Sequence, residues 1–285
     1  MTVLTLENTG IVIDSTCDPL PHFVGMPNVA MVPLKVLFGD EAYDDGIELT
    51  IDQFYEKLAT ATVMPTTSQP SSARFAECYA EMCERYEHVL SVHISAGLSG
   101  TLQSASIAAE QFPRVEVYDS KSVAGGLGLL VQRLHDRLQE GIEADEARRY
   151  IAHYQEHGRL VIHAVSLEHL RRGGRIGRAQ SMVAGMLGIH PVLQVEDGVV
   201  AAYGKARGHR RAVDLMMQYL HENAPSAQPL YVALMHGAAP EALEELRQHI
   251  LAARPDAHLV LSGSIGSVVG VHIGPGPSAF AMISE

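Results

Sequence analysis

The feature that most constrains the fold is an alternation of short apolar, β-branched runs with amphipathic stretches. Residues 10–14 and 89–94 are predicted strands, and Thr50-Ile-Asp-Gln53 has the spacing of a capping box that opens a helix. Helices that alternate with strands in this way are typical of a mostly parallel sheet covered by helices. The pattern therefore predicts an α/β fold with a Rossmann-like sheet in the N-terminal half.

The second half of the chain has a different rhythm, which predicts a mixed sheet. Two apolar runs, 191–195 and 199–203, flank Glu196-Asp-Gly198, and Asp-Gly between two such runs is a strong hairpin signal. The final strands are expected near Leu259 and at 268–272. At roughly 100–200 residues per domain, a chain of 285 residues favours two domains. We expect α/β domains at 1–158 and 159–285, with a ligand cleft between them.

Composition excludes several functional classes. The chain has 21 basic and 33 acidic residues, a net charge of −12, which repels nucleic acid and anionic membranes. Its three cysteines form no CxxC pair, so neither a disulfide framework nor a zinc site is expected. No window approaches the ~20 apolar residues that span a bilayer, and the start has no leader pattern. We therefore expect no metal, no stable membrane insertion and a cytoplasmic protein.

Three segments combine hydroxyl side chains with the expected start of a helix. They are residues 14–16, 65–71 and 95–101, each placed after a predicted strand. Ligands of open α/β sheets bind at the carboxyl ends of strands, where helix N-termini offer free N–H groups. A single segment of this kind is also an ordinary helix cap. Three together predict a cradle for a carboxylate or a phosphate.

Two basic segments and one histidine add to this prediction. Glycines between the arginines of residues 170–178 let guanidinium groups converge on an anion, although a solvated surface turn would have the same composition. A second basic segment, 205–211, is expected to cap a helix. His272 ends a predicted strand before a Gly-Pro-Gly turn, where an imidazole can donate to an anion or act as a base. These residues predict an anion-accepting cleft, without distinguishing binding from turnover.

The same segments resemble the DegV family of bacterial fatty-acid-binding proteins. The matching segments extend over essentially the whole chain and are Ile13-Asp-Ser-Thr-Cys-Asp18, Val32-Pro-Leu34, Tyr43-Asp-Asp-Gly46, residues 65–71, residues 95–101, Asp119-Ser120, residues 170–176 and His272-Ile-Gly-Pro-Gly276. The resemblance implies a carrier, not an enzyme, that encloses one long-chain fatty acid and has no cofactor or catalytic residue. It also implies a partner, a separate fatty acid kinase that phosphorylates the presented carboxylate for phospholipid synthesis. We expect a monomer, which suits a protein that must dock and release.

The resemblance also implies a set of ligand-binding residues. Arg175 and Arg207 would support the carboxylate or dock the kinase, and Thr66 is a register alternative to Thr67. The family commonly has two serines before Gly-Leu-Ser-Gly, but Ala96 replaces the second here, which removes one hydrogen bond worth roughly 0.5–1.5 kcal/mol. The implied set is Thr67, Thr66, Ser95, Ala96, Gly97, His272, Arg175 and Arg207.

Most of the affinity for such a ligand would come from its tail, because each buried CH₂ contributes ~0.8 kcal/mol. Met182, Met186 and Leu187 are candidate tail-lining residues, with plain core packing as the alternative.

Two other functions remain open. One is a hydrolase or transferase with His272 as base and Ser95 or Thr67 as nucleophile. The other is a binder of a different amphiphilic acid, such as a retinoid, sterol or isoprenoid acid.

Overall fold

The structure, a computed structural model, describes residues 2–182 and 188–285. The strands are β1 (Val3–Leu4), β2 (Thr9–Asp14), β3 (Val29–Val32), β4 (Lys35–Phe38), β5 (Glu41–Asp44), β6 (Thr66–Ser68), β7 (His88–His93), β8 (Val115–Asp119), β9 (Ile142–Glu143), β10 (Arg159–His163), β11 (Ile189–Glu196), β12 (Val199–Arg207), β13 (Leu230–His236), β14 (His258–Ser264) and β15 (Ser278–Ser284). The helices are α1 (Leu20–Phe23), α2 (Ile51–Thr60), α3 (Ser72–Arg85), α4 (Thr101–Ala109), α5 (Gly125–Glu140), α6 (Ala144–His157), α7 (Glu168–Arg172), a 3₁₀ helix (Gly177–Met182), α8 (His209–Asn223), α9 (Pro240–Ala253) and α10 (Ser267–Ile273).

The N-terminal half is built on a parallel sheet, as the sequence predicts. Its strand order is β3-β2-β7-β8, and every pair is parallel. Phe75, Tyr79 and Met82 of α3 are buried against one face of this sheet, while α5 packs against the other. The predicted capping box is also confirmed, since Thr50 and Gln53 exchange hydrogen bonds at the start of α2.

The C-terminal half contains the predicted mixed sheet. Its order is β12-β11-β10-β15-β13-β14, in which β13 and β14 are parallel and the other pairs antiparallel. The predicted hairpin joins β11 to β12, and its turn residues Asp197 and Gly198 have φ values of 51° and 77°. Positive φ at both central residues is the condition for a type I′ turn, which Asp-Gly favours.

Helix α5 lies where the two larger sheets meet. Its buried leucines belong to an apolar core that includes residues of β2, β7, β10 and β15. Helices α8 and α9 cover the opposite face of the mixed sheet with a second core. The two sheets therefore share one interior, and the domain boundary at residue 158 stays a prediction.

Two predicted elements differ in the structure. The segment expected as a loop at 65–71 contains the short strand β6, which pairs with β4 in the sheet β5-β4-β6. The strand expected at 268–272 is wrong, because these residues form the helix α10. Asp18 Oδ2 accepts a hydrogen bond from the Gly266 amide at its start, and Gly274 ends it with a φ of 77°. These tertiary contacts override the β propensity of its valines.

Strand β15 is not among the predicted elements, and its residues are nearly all buried between β10 and β13. Its continuous apolar run, Ala279-Phe-Ala-Met-Ile283, is the available signal for a strand buried on both faces. Among the described residues, no helix combines the length and the apolar character needed to cross a membrane.

Candidate functional site

A cavity of about 280 Å³ lies between the two larger sheets. This volume is close to the lower end of the range of small-molecule sites. Alternate residues of β10 and β11 face it, since side chains along a strand alternate between its two faces. Most of its lining is apolar and comprises Leu34, Ile94, Leu98, Val123, Ala124, Leu160, Ile162, Leu170, Leu193, Val195, Val200, Ile265, Val268, Val269, Ile273 and Ala279.

The remaining lining residues are polar and include Thr67 and His272. Thr67 lies on β6, where it pairs with Val36 of β4, and His272 lies on the last turn of α10. Thr67 Oγ1 and His272 Nε2 are 2.9 Å apart and share a hydrogen bond. The other polar lining residues are Ser68, Gln69, Ser99 and Arg175.

His272 is uncharged at neutral pH. Burial, assisted by the positive charge of Arg175, lowers the pKa of the imidazole to about 4. Its Nδ1 atom is buried without a hydrogen-bond partner among the described residues. When the ring carries its proton on Nε2, it donates to Thr67 Oγ1, and the Thr67 hydroxyl is then free to donate to an anion in the cavity.

Arg175 supplies a positive charge beside this pair. Its guanidinium donates to two carbonyl oxygens, Leu98 O at 3.3 Å and Gly173 O at 2.8 Å. Within residues 2–182 and 188–285, no carboxylate forms an ion pair with it. By contrast, Glu168 pairs with Arg171 and Arg172, and Arg178 pairs with Glu196 and Asp197. Of the basic segment 170–178, Arg175 is thus the arginine placed to meet an anion in the cavity.

Other residues of the predicted site lie outside this lining. Thr66 is exposed on β6. The buried Ser95 hydroxyl donates to Gly198 O at 2.7 Å, and Gly97 packs against the same turn. The exposed Ala96 has its amide 3.4 Å from Asp119 Oδ2. Arg207 lines a separate surface hollow at the end of β12. The structure therefore brings Thr67, His272 and Arg175 together but not the other five.

The hydroxyl segment at 14–16 faces the protein interior. Asp14 Oδ2 accepts from the Ile94 amide at 2.9 Å and hydrogen bonds His93 Nδ1 at 3.1 Å, while Ser15 Oγ accepts from the Leu34 amide. These contacts fix the carboxyl ends of β2 and β7 and the chain after β3. This segment positions the site rather than contacting it.

Several lining residues were not singled out from the sequence. Ser68, Gln69 and Ser99 lie within the hydroxyl segments 65–71 and 95–101, so the segments, but not these residues, signalled the site. The apolar lining residues of α10 were not predicted, because a strand was expected at 268–272. Met182 is buried in the core and does not line the cavity. Met186 and Leu187 lie outside the described residues.

The chemistry of the polar end follows from the side chains that it contains. In the part of the chain that the structure describes, no three His, Cys, Asp or Glu side chains are grouped so that they could hold a metal ion. The polar end of the cavity instead offers a hydroxyl, a neutral imidazole and a guanidinium. The hydroxyl and the guanidinium are hydrogen-bond donors suited to a carboxylate or phosphate oxygen, and the imidazole orients the hydroxyl.

Comparison with known proteins identifies the family. The model of the DegV family, described as a family of uncharacterised proteins, matches residues 8–285. The chain belongs to the DegV family. A DegV domain-containing protein of Deinococcus radiodurans is 37% identical over 281 residues, which cover 95% of this chain and 97% of that protein.

Solved structures of DegV proteins share the fold. A DegV family protein of Thermus thermophilus, described as fatty-acid-binding, has a TM-score of 0.93 and 34% identity, with 98% of this chain and 100% of that chain covered. A stearic-acid-binding protein of Eubacterium ventriosum has a TM-score of 0.88 and 28% identity, with 97% and 98% covered. Both are similar to this chain in fold throughout its length.

Proposed function

We propose that this DegV protein binds one long-chain fatty acid, with its acyl chain in the cavity and its carboxylate at Thr67, His272 and Arg175. The observation that carries the proposal is the composition of the cavity. An extended apolar lining meets a hydroxyl–imidazole pair and a guanidinium that has no carboxylate partner among the described residues. A fatty acid has the same two parts, a long apolar chain and one anionic end.

The energetics of the two parts favour this ligand. Each buried CH₂ contributes ~0.8 kcal/mol, so the tail supplies most of the affinity. The carboxylate loses its hydration on entry and must recover hydrogen bonds. The Thr67 hydroxyl and the Arg175 guanidinium are available donors, and the neutral His272 adds no charge that would need its own counterion. Fatty-acid binding by the Thermus and Eubacterium proteins supports the same assignment.

The bound acid would be presented to a separate fatty acid kinase, which phosphorylates the carboxylate. Ser68 and Gln69 lie at the polar end and are exposed, which would leave this end within reach of a partner. The monomeric state and the cytoplasmic location stay predictions from the sequence.

The geometry favours binding over hydrolysis at this site. A nucleophile and base need a third group that orients the imidazole. His272 Nδ1 has no such partner in the described part of the chain, and a pKa of about 4 makes the ring a weak base at neutral pH.

Native mass spectrometry before and after organic extraction tests the proposal. A loss of one fatty acid per chain supports it, and a protein that is empty and takes up neither palmitate nor oleate contradicts it. Arg175→Gln should weaken palmitate binding roughly tenfold through the loss of a charged hydrogen bond. Arg171→Gln is the matched control, because this arginine pairs with Glu168 instead of lining the cavity.

For the presentation step, the loaded protein, a fatty acid kinase and ATP should together form acyl phosphate. The loaded protein with ATP alone should form none. Acyl phosphate in the absence of the kinase would contradict the carrier role.

A further inference from the structure

A close contact joins the two halves of the chain beside the cavity. The Ser95 hydroxyl, on the loop after β7, donates to Gly198 O in the turn between β11 and β12 at 2.7 Å. Ser95 is 1% exposed, so water does not compete for this bond. The contact lies between two parts of the cavity wall. Leu98 on one side and the cross-strand pair Val195 and Val200 on the other line the cavity.

Glycines allow the two backbones to approach each other at this point. A Cβ atom on Gly97 would lie 2.7 Å from Gly198 O, and one on Gly198 would lie 2.3 Å from Ser95 Oγ. Real Cβ atoms do not tolerate such distances, and Gly198 also needs its positive φ of 77° for the turn. The loop and the turn are therefore shaped to fit closely, with the Ser95 hydroxyl as the polar link.

Arg178 makes a further contact with the turn. Arg178 of the 3₁₀ helix is 3.1 Å from Glu196 Oε2 and 3.2 Å from Asp197 Oδ2. All three side chains are exposed, and exposed ion pairs contribute little and weaken with salt. The Ser95–Gly198 hydrogen bond is thus the buried polar link across this part of the wall.

We propose that Ser95 is a positioning residue that latches the β11–β12 turn to the loop after β7 and so controls how fast an acyl chain leaves the cavity. This inference rests on the proposed function. It assigns Ser95 to the closure of the wall and not to the carboxylate. Breaking one neutral hydrogen bond and the two exposed ion pairs of Arg178 is a small barrier, which suits a wall that opens for each ligand and closes again.

The experiment compares release of a fatty acid and of a fatty alcohol. Wild-type protein and Ser95→Ala are loaded with radiolabelled palmitate or 1-hexadecanol, and transfer to phosphatidylcholine vesicles is followed. The latch predicts release roughly three- to tenfold faster for both ligands, the range for one neutral hydrogen bond. Faster release of palmitate alone would place Ser95 at the carboxylate and overturn the proposal, as would unchanged release of both.

Amide hydrogen exchange in the empty protein provides a readout that needs no ligand. Ser95→Ala should speed exchange at residues 195–200 and leave α9 unchanged. Unchanged exchange at the turn would overturn the latch even if fatty-acid binding holds, so the two proposals fail separately. Ser106→Ala is the control, because its hydroxyl donates to Leu102 O on the exposed surface of α4.

Discussion

Two histidines in this DegV protein each share a hydrogen bond with a hydroxyl, and their surroundings differ in one instructive way. His93 Nδ1 contacts Asp14 Oδ2 at 3.1 Å, and its Nε2 contacts Ser91 Oγ at 2.6 Å. His272 Nε2 contacts Thr67 Oγ1, while its Nδ1 has no partner among the described residues. The first has the complete acid–base–hydroxyl order of a hydrolase triad.

The two histidines differ in whether a substrate can reach them. Asp14, Ser91 and His93 are 0% exposed, and His93 packs edge-on against Phe75, so no substrate reaches that hydroxyl. His272 faces a cavity but lacks an acid to orient it. The arrangement that could activate a nucleophile is therefore buried, and the histidine that faces the cavity has no carboxylate partner among the described residues. The Asp14–His93–Ser91 arrangement is therefore a buried structural brace, because its three side chains are fully buried.

The largest expected effect comes from removing the acid of the buried brace. Burial alone would raise the pKa of Asp14, but hydrogen bonds from His93, Thr16 and the Ile94 amide hold it below its ordinary value. Asp14→Ala should lower the free energy of unfolding by about 3–5 kcal/mol, because these buried donors lose their acceptor. Urea denaturation measures it. The exposed Asp40→Ala should stay within ~0.5 kcal/mol. A loss below about 1 kcal/mol would show that the brace is dispensable.

The buried carboxyl of Asp45 lies near Asp14, and its pKa is shifted in the opposite direction. Burial, with the charge of Asp14, raises the pKa of Asp45 from 3.8 to about 6. The folded state thus binds this proton more tightly, so stability is greatest below about pH 4 and falls as pH rises to about 6. The shift corresponds to about 3 kcal/mol. Asp45→Asn should remove this loss between pH 4 and 7 in urea unfolding. Exposed Asp52→Asn should leave it unchanged, and an unaltered slope in Asp45→Asn would contradict the assignment.

The Thr67 hydroxyl that contacts His272 can be removed with almost no change in side-chain volume. Thr67→Val should weaken palmitate binding roughly five- to thirtyfold, because the carboxylate loses a donor and His272 Nε2 loses its partner. Isothermal titration calorimetry of the delipidated protein measures the change. Thr66→Val is the matched control, since Thr66 is exposed and does not line the cavity. If Thr66→Val has the larger effect instead, the carboxylate lies in the alternative register.

Local sequence signals account for much of the fold and part of this site. The capping box at Thr50 and the turn at Asp197-Gly198 follow from nearby residues, so both were predictable. Helix α10 was not, because contacts distant in sequence decide its conformation. Gly270 packs so closely on Phe54 that a Cβ would lie 2.5 Å from that ring. Because residues 268–272 were expected to form a strand, the direction of the His272 side chain was not predictable either.

Arg175 shows the same limit in electrostatics. Four arginines share the segment 170–178, and the sequence does not say which of them lacks a carboxylate partner. Glu168 pairs with Arg171 and Arg172 within α7, at a local spacing, but Arg178 pairs with Glu196 and Asp197 at the β11–β12 turn. This second pairing joins two elements and is a tertiary property, so the sequence predicts the basic segment but does not single out Arg175.

The smallest expected effect concerns the pH dependence of His272. A folded pKa of about 4 means that stability attributable to His272 is present above about pH 6.5 and declines as pH falls towards 4, since the unfolded imidazole binds the proton first. Palmitate affinity should therefore change less than about twofold between pH 6 and 8. Titration calorimetry at four pH values measures it. A larger change with a midpoint near 6.5, absent in His272→Gln, would mean that the ring becomes charged within this range.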